Sequence, residues 1–257
     1  MSSRVRYTIV GPPDAPVLVL ANSLGTTMAM WESLLPALTE RFRVVRFDHR
    51  GHDETWSPPF PWDIADFGSD AASVLDDLAL RETAFVGVSL GGMVGMWLAA
   101  HRPDLVDRLV VVCSSAWLDS PDSWHGRAAI VRASGMERIV DPVVDRWFTP
   151  DFAVRNAELV REFKAMLAAM PPAGYAACCD VLARLDLREE LGSIKAATLV
   201  VSASDDQAIP PSHSRAIADA VPGARFAVVR NAAHLPVVEQ PERLGRIIVD
   251  HLGAEES

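Results

Sequence analysis

Seven short runs rich in β-branched and aliphatic residues punctuate the chain, and each reads as a strand. They are RVRYTIV from Arg4, PVLVL from Pro16, RVVRF from Arg43, TAFVGV from Thr83, RLVVVC from Arg108, ATLVVSA from Ala197 and ARFAVV from Ala224. Apolar residues at helical spacing fill most of the gaps between them. In the last segment Leu244, Ile247, Ile248 and Leu252 fall on one face of a helix predicted to start near Pro241. Strands alternating with helices predict an α/β fold around a mostly parallel, doubly wound sheet.

The alternation stops between about Ser115 and Gly192. That stretch is rich in Trp, Met, Ala and Arg at helical spacing, as in ELVREFKAMLAAM. It predicts a helical cap, residues 115–192, inserted into a core made of residues 1–114 and 193–257. Open α/β sheets bind ligands outside the carboxyl ends of their strands. A cap leaving the sheet at such an end is placed to cover that site.

Composition narrows the possible partners. The 257 residues are 49% hydrophobic and 23% charged, with a formal net charge of −10 and no basic stripe, which argues against nucleic acid. An anionic ligand on so acidic a chain needs a local positive pocket. Cys113, Cys178 and Cys179 form neither a disulfide framework nor a zinc-spaced set, which suits a reducing compartment. The N-terminus carries no signal-like apolar core, and no apolar run of membrane-spanning length is free of glycine breaks. A cytoplasmic protein without a membrane partner is expected; nothing indicates its oligomeric state.

The segment FVGVSLGGMVGMWLAA, Phe85 to Ala100, carries the chemistry. Gly87-Val88-Ser89-Leu90-Gly91 fits G-x-S-x-G, a pattern that roughly one chain in ten of this length shows by chance. Its context is more specific. It follows a buried strand and opens an apolar helix, as a nucleophile elbow must, and small neighbours leave room for the tight turn. A serine hydroxyl is a poor nucleophile near neutral pH and needs a base, which in turn needs an orienting acid. Asp205 and Asp206 follow one predicted strand and His234 follows the next, in the order this architecture uses. Spacing does not choose between the two aspartates. His49, His52, His101, His125, His213 and His251 read as structural or solvated. An oxyanion would be received by the backbone N–H of Leu90 at the helix start and by that of Leu24 in the loop NSLGT.

From about Val17 to Glu242 the chain resembles the α/β-hydrolases, and within them the 3-oxoadipate enol-lactonases. The resemblance rests on NSLGT…MW, DHRGH, GVSLGGMVGMWLA, RWFTPDF, GYAACC and AAHLPVVEQPE. It implies Ser89 as nucleophile, His234 as base, and Asp206, four residues ahead of Pro210, as acid. It also implies Leu24 and Leu90 as oxyanion donors and Trp124 as a substrate-binding residue. The activity implied is opening of 3-oxoadipate enol-lactone to 3-oxoadipate in protocatechuate and catechol degradation. Such ester hydrolysis requires no metal or organic cofactor. The sequence departs from the family at Asp53 and Glu54, where a compact Gly-containing turn is common, at Gln207 in place of a proline, and at Ala233 in place of a glycine.

A small lactone or ester that keeps a carboxylate must find a cation, and Arg127, Arg132 and Arg146 are the candidates in the cap. Arg127, beside Trp124, is preferred. Rival readings are a carboxylesterase, a perhydrolase, a carbon–carbon hydrolase, or a slow-turnover ligand-binding module. Serine rather than aspartate at the elbow counts against dehalogenase and epoxide-hydrolase chemistry.

Overall fold

The computed structural model describes residues 5–53 and 60–253. Glu54, one of the departures noted above, lies outside the described residues. All seven predicted strands form: β1 (Tyr7–Val10), β2 (Val17–Ala21), β3 (Arg43–Phe47), β4 (Thr83–Val88), β5 (Val106–Val112), β6 (Ala197–Ala203) and β7 (Arg225–Val229). They make one sheet in the order β1-β3-β2-β4-β5-β6-β7. Every pairing is parallel except β1 with β3, which runs antiparallel from Tyr7↔Phe47 to Val10↔Val44. Each of the six residues of the central β4 is buried, which accounts for its unbroken apolar run.

Helices α1 (Leu35–Thr39), α2 (Ile64–Asp77) and α3 (Leu90–His101) connect the first five strands. A capping box starts α2: the Asp66 N–H donates to the Asp63 carboxylate while the Asp63 N–H donates to the Asp66 carboxylate. Buried Arg50 forks onto Asp70 at 2.7 and 2.8 Å and fixes the turn after β3 against α2. Helix α3 packs on β4 and β5, and its apolar character on all sides matches a helix with buried residues along most of its length.

Between β5 and β6 the chain leaves the sheet and forms α4 (Pro121–Ser134), α5 (Glu137–Val144), α6 (Pro150–Arg155), α7 (Ala157–Ala168) and α8 (Pro172–Ala183). Helices α4 and α8 pack together, as do α5 and α7. Beyond β6 come α9 (Pro211–Ala220), the single turn α10 (Pro236–Glu239) and α11 (Pro241–Leu252). On α11, Leu244, Ile248 and Leu252 are buried and Ile247 is partly so, as the apolar stripe predicts. Among the described residues, no single helix is long and apolar enough to cross a membrane.

Parallel pairing has a direct consequence for function. The carboxyl ends of β2, β4, β6 and β7 all lie at one edge, so Leu24, Ser89, Asp206 and His234 are delivered to that edge from four separate stretches of sequence.

Candidate active site

Ser89 occupies the turn between β4 and α3 with φ 55° and ψ −115°, a conformation in which a non-glycine residue is strained by about 1–3 kcal/mol. Its backbone is held from both sides: the Ser89 N–H donates to Val112 O at 2.9 Å, and Ser89 O accepts from the Ser114 hydroxyl at 2.7 Å. The flanking glycines are sterically obligatory. A Cβ on Gly87 would lie 2.1 Å from Gly91 O, and one on Gly91 would lie 2.1 Å from Ala21 O. The turn is closed so tightly that backbone occupies the space a side chain would need.

His234 Nδ1 and Asp206 Oδ2 are 2.8 Å apart, and both residues are buried. The other carboxylate oxygen of Asp206 accepts the N–H groups of Ala208 and Ile209 at 2.8 and 2.9 Å. Those two bonds fix the carboxylate plane and leave Oδ2 for the imidazole. With Oδ2 accepting, Nδ1 carries the proton and Nε2 is free to act as a base. Asp205 is exposed and its carboxylate accepts the Ser204 hydroxyl. The structure therefore distinguishes two neighbours that spacing leaves equivalent.

The loop after β2 is built around Asn22. Its side-chain oxygen accepts Trp31 Nε1–H at 2.7 Å, while its amide donates to Phe47 O at 3.0 Å and to Asp48 Oδ1 at 3.1 Å. Its backbone oxygen accepts the Gly91 N–H at 3.0 Å and His49 Nε2–H at 2.9 Å. One asparagine thus ties β2, β3 and the nucleophile turn together. On either side of Leu24 the backbone is engaged: the Ser23 N–H meets Met30 Sδ at 3.4 Å, and the Gly25 N–H donates to His52 Nε2 at 2.9 Å. Leu90 is the first residue of α3, where an N–H has no partner within the helix. Leu24 and Leu90, the expected oxyanion donors, thus sit in the loop after β2 and at the first turn of α3.

His49 and His52 are not solvated bystanders. Burial first, and then the neighbouring His52, lowers the pKa of His49 to about 3; burial lowers that of His52 to about 4. Because a backbone N–H can only donate, Nε2 of His52 must hold a lone pair, and its Nδ1–H faces Arg50 O at 3.3 Å. Burial also pushes all three thiols up, Cys179 to about 12, so none supplies a thiolate nucleophile. Among the described residues there is no His/Cys/Asp/Glu group able to hold a metal ion.

A cavity of about 260 Å³ opens over Ser89, and its lining includes Leu24, Trp124, Arg127, Arg146, Tyr175 and His234. The Arg127 guanidinium lies 4.4 Å from the centroid of the Trp124 ring, which holds it at the wall. Arg146 also reaches the cavity, whereas Arg132 is committed to Asp180 on the outer surface. Of the residues singled out in the sequence, Leu24, Ser89, Trp124, Arg127, Arg146 and His234 line this cavity and Asp206 stands behind His234, whereas Arg132 and Asp205 do not reach it. His213 lines the cavity as well, with Nδ1 2.8 Å from the Ser115 hydroxyl, and no sequence pattern marked it. Of the departures, Asp53 pairs with Arg6 at 3.6 Å, Gln207 sits in a polar groove beside Asp205, and Ala233 is buried next to His234.

Comparison with known proteins identifies the family. A family model described as alpha/beta hydrolase fold matches residues 16–241. The chain is 34% identical over 239 residues to 3-oxoadipate enol-lactonase 1 of Acinetobacter baylyi, across 93% of this chain and 89% of the relative. It is 32% identical over 251 residues to RutD of Stutzerimonas stutzeri, a carbamate hydrolase by name, across 95% and 94% of the two chains. The crystal structure of the enol-lactonase from Burkholderia xenovorans is similar with a TM-score of 0.94 and 34% identity, covering 97% of this chain and 96% of that one. The chain belongs to the α/β-hydrolase family.

Proposed function

We propose that the protein is a serine hydrolase that opens 3-oxoadipate enol-lactone to 3-oxoadipate, a step in the degradation of protocatechuate and catechol. The observation that carries this reading is the buried 2.8 Å contact between Asp206 and His234, with His234 lining the same cavity as Ser89 and Arg127. The likeness to two enol-lactonases supports the choice of substrate.

In this mechanism Ser89 Oγ attacks the lactone carbonyl as His234 Nε2 takes its proton. Asp206 holds the imidazole tautomer and stabilises the imidazolium. The N–H groups of Leu24 and Leu90 receive the oxyanion, in a site where the helix dipole of α3 also favours negative charge. Collapse of the tetrahedral intermediate breaks the ring carbon–oxygen bond. The imidazolium returns its proton to the departing enol oxygen, and the enol tautomerises to the ketone. Water, deprotonated by His234, then hydrolyses the acyl-enzyme and restores Ser89. The helices of residues 115–192 act as the cap, and Arg127 on that cap binds the free carboxylate with Trp124 shaping the pocket.

Hydrolysis of this lactone, followed by loss of ultraviolet absorbance, is compared with that of the same enol-lactone ring bearing methyl in place of carboxymethyl. A strong preference for the carboxylated ring supports the reading. Equal or better turnover of the methyl ring, or of simple esters alone, removes the substrate assignment. The likeness to RutD makes a carbamate the rival substrate, and faster release of ammonia from a carbamate would favour it.

A further inference from the structure

The carboxylate of Glu239, at the end of α10, bridges two parts of the fold that meet at the active site. One oxygen accepts both the backbone N–H and the hydroxyl of Thr149, at 2.7 and 2.8 Å. The other accepts the backbone N–H of Ala233, the residue before His234. On the other side of the histidine, the Leu235 N–H donates to Trp147 O at 3.1 Å. The peptide N–H groups flanking His234 therefore both end on the Trp147–Thr149 segment between β5 and β6, one directly and one through Glu239.

That segment is also a wall of the site. Arg146 and Trp147 line the cavity over Ser89, and the Trp147 ring lies 3.7 Å from where a Cβ on Gly25 would sit, against the loop that carries Leu24. The link from β7 to His234 runs through an exposed turn at Arg230 and Asn231, which is held by the Ser204 hydroxyl and the Gln240 amide rather than by packing. Charge-assisted bonds from a carboxylate to three donors are stronger and better aligned than neutral ones. The rigid connection for His234 thus comes from the helical segment as much as from the sheet.

We propose that Glu239 is a positioning residue that locks the His234 loop to the Trp147–Thr149 segment, so that the base and the cavity wall hold one fixed relation. This rests on the reading of His234 as the base. The carboxylate touches neither substrate nor Ser89; it acts through the backbone of Ala233 and Thr149. Displacing a base by about an ångström costs on the order of 100-fold in rate, so loosening either end of the bridge has a measurable consequence.

Glu239→Gln tests it with little change of volume. Its amide can offer an oxygen to Thr149 or to Ala233, but its NH2 group faces an N–H donor at the other end. Thr149→Val removes one of the three bonds and leaves the backbone bond in place. Glu239→Gln is expected to lower kcat on the enol-lactone about 10- to 100-fold with KM changed less than about threefold. Thr149→Val should lower kcat by only about threefold. The downfield proton resonance of His234 Nδ1–H should broaden or shift in Glu239→Gln, while melting curves show a folded protein. A kcat within twofold of wild type, or an unchanged Nδ1–H resonance, overturns the inference. Wild type that fails to turn over the lactone but hydrolyses simple esters through Ser89 would sink the substrate assignment alone. The same comparison on the simple ester would then decide the role of Glu239.

Discussion

The backbone N–H of Gly25 donates to Nε2 of His52 across 2.9 Å, joining the loop after β2 to the turn after β3. The adjacent Leu24 N–H is a proposed oxyanion donor, so His52 sets its direction without touching substrate. His52→Phe, which cannot accept the bond, is expected to lower kcat by about 10- to 100-fold with little change in KM. It should also weaken a boronic acid, which mimics the tetrahedral intermediate. His52→Gln, whose side-chain oxygen can accept, should recover most of the loss. Equal damage in both variants would show that ring packing, not the hydrogen bond, matters.

Both buried histidines make stability depend on pH. Their folded pKa values, about 3 for His49 and about 4 for His52, lie below the ordinary value of 6.5. Between those limits only the unfolded chain takes up the proton. Their stabilising contribution is thus complete above pH 6.5 and lost as pH falls toward 4, by about 1.4 kcal/mol per unit for each histidine. Asp48, whose pKa burial raises, opposes this at the acid end of the range. Denaturant unfolding at a series of pH values should show stability falling from pH 6.5 to 4. A flat profile would contradict the neutral tautomers assigned here.

Two adjacent aspartates should behave very differently. Asp206→Asn replaces the acceptor opposite His234 Nδ1 and favours the wrong tautomer, so kcat should fall by about 10³- to 10⁴-fold. Asp205→Asn, on an exposed residue outside the site, should leave kcat within about threefold of wild type. Steady-state assays of the two variants on any turned-over ester decide it, and a reversed order would overturn the geometry of the relay.

Arg127 should matter only for substrates that carry a carboxylate. Arg127→Leu is expected to lower kcat/KM for the carboxylated enol-lactone by about 100-fold and to leave the methyl-substituted ring within about threefold. Equal losses on both would assign Arg127 to packing on Trp124 instead. Loss on neither would move the carboxylate site to Arg146, which also lines the cavity.

The sheet was legible because all seven strands carry dense β-branched and aliphatic runs, unbroken in central β4, which is buried throughout, and retained in the partly exposed edge strands β1 and β7. The elbow was legible because close backbone approach leaves only glycine at positions 87 and 91. Other parts of the site were not. Asp205 and Asp206 have the same local sequence signals, and only the fold turns one carboxylate toward His234. His52 accepts a backbone N–H 27 residues away, Glu239 accepts two, 6 and 90 residues away, and His213 meets Ser115 across 98 residues. Such partners depend on how loops close over the strand ends, which hydrophobic periodicity does not encode.

The central claim is that Ser89 opens the enol-lactone, and it is tested most directly by following that lactone's ultraviolet absorbance with wild type and with Ser89→Ala. The account predicts rapid multiple turnover by wild type and a fall in kcat of up to about a millionfold in the variant, toward the uncatalysed rate. Undiminished turnover by Ser89→Ala, or no turnover of the lactone by wild type, would contradict it.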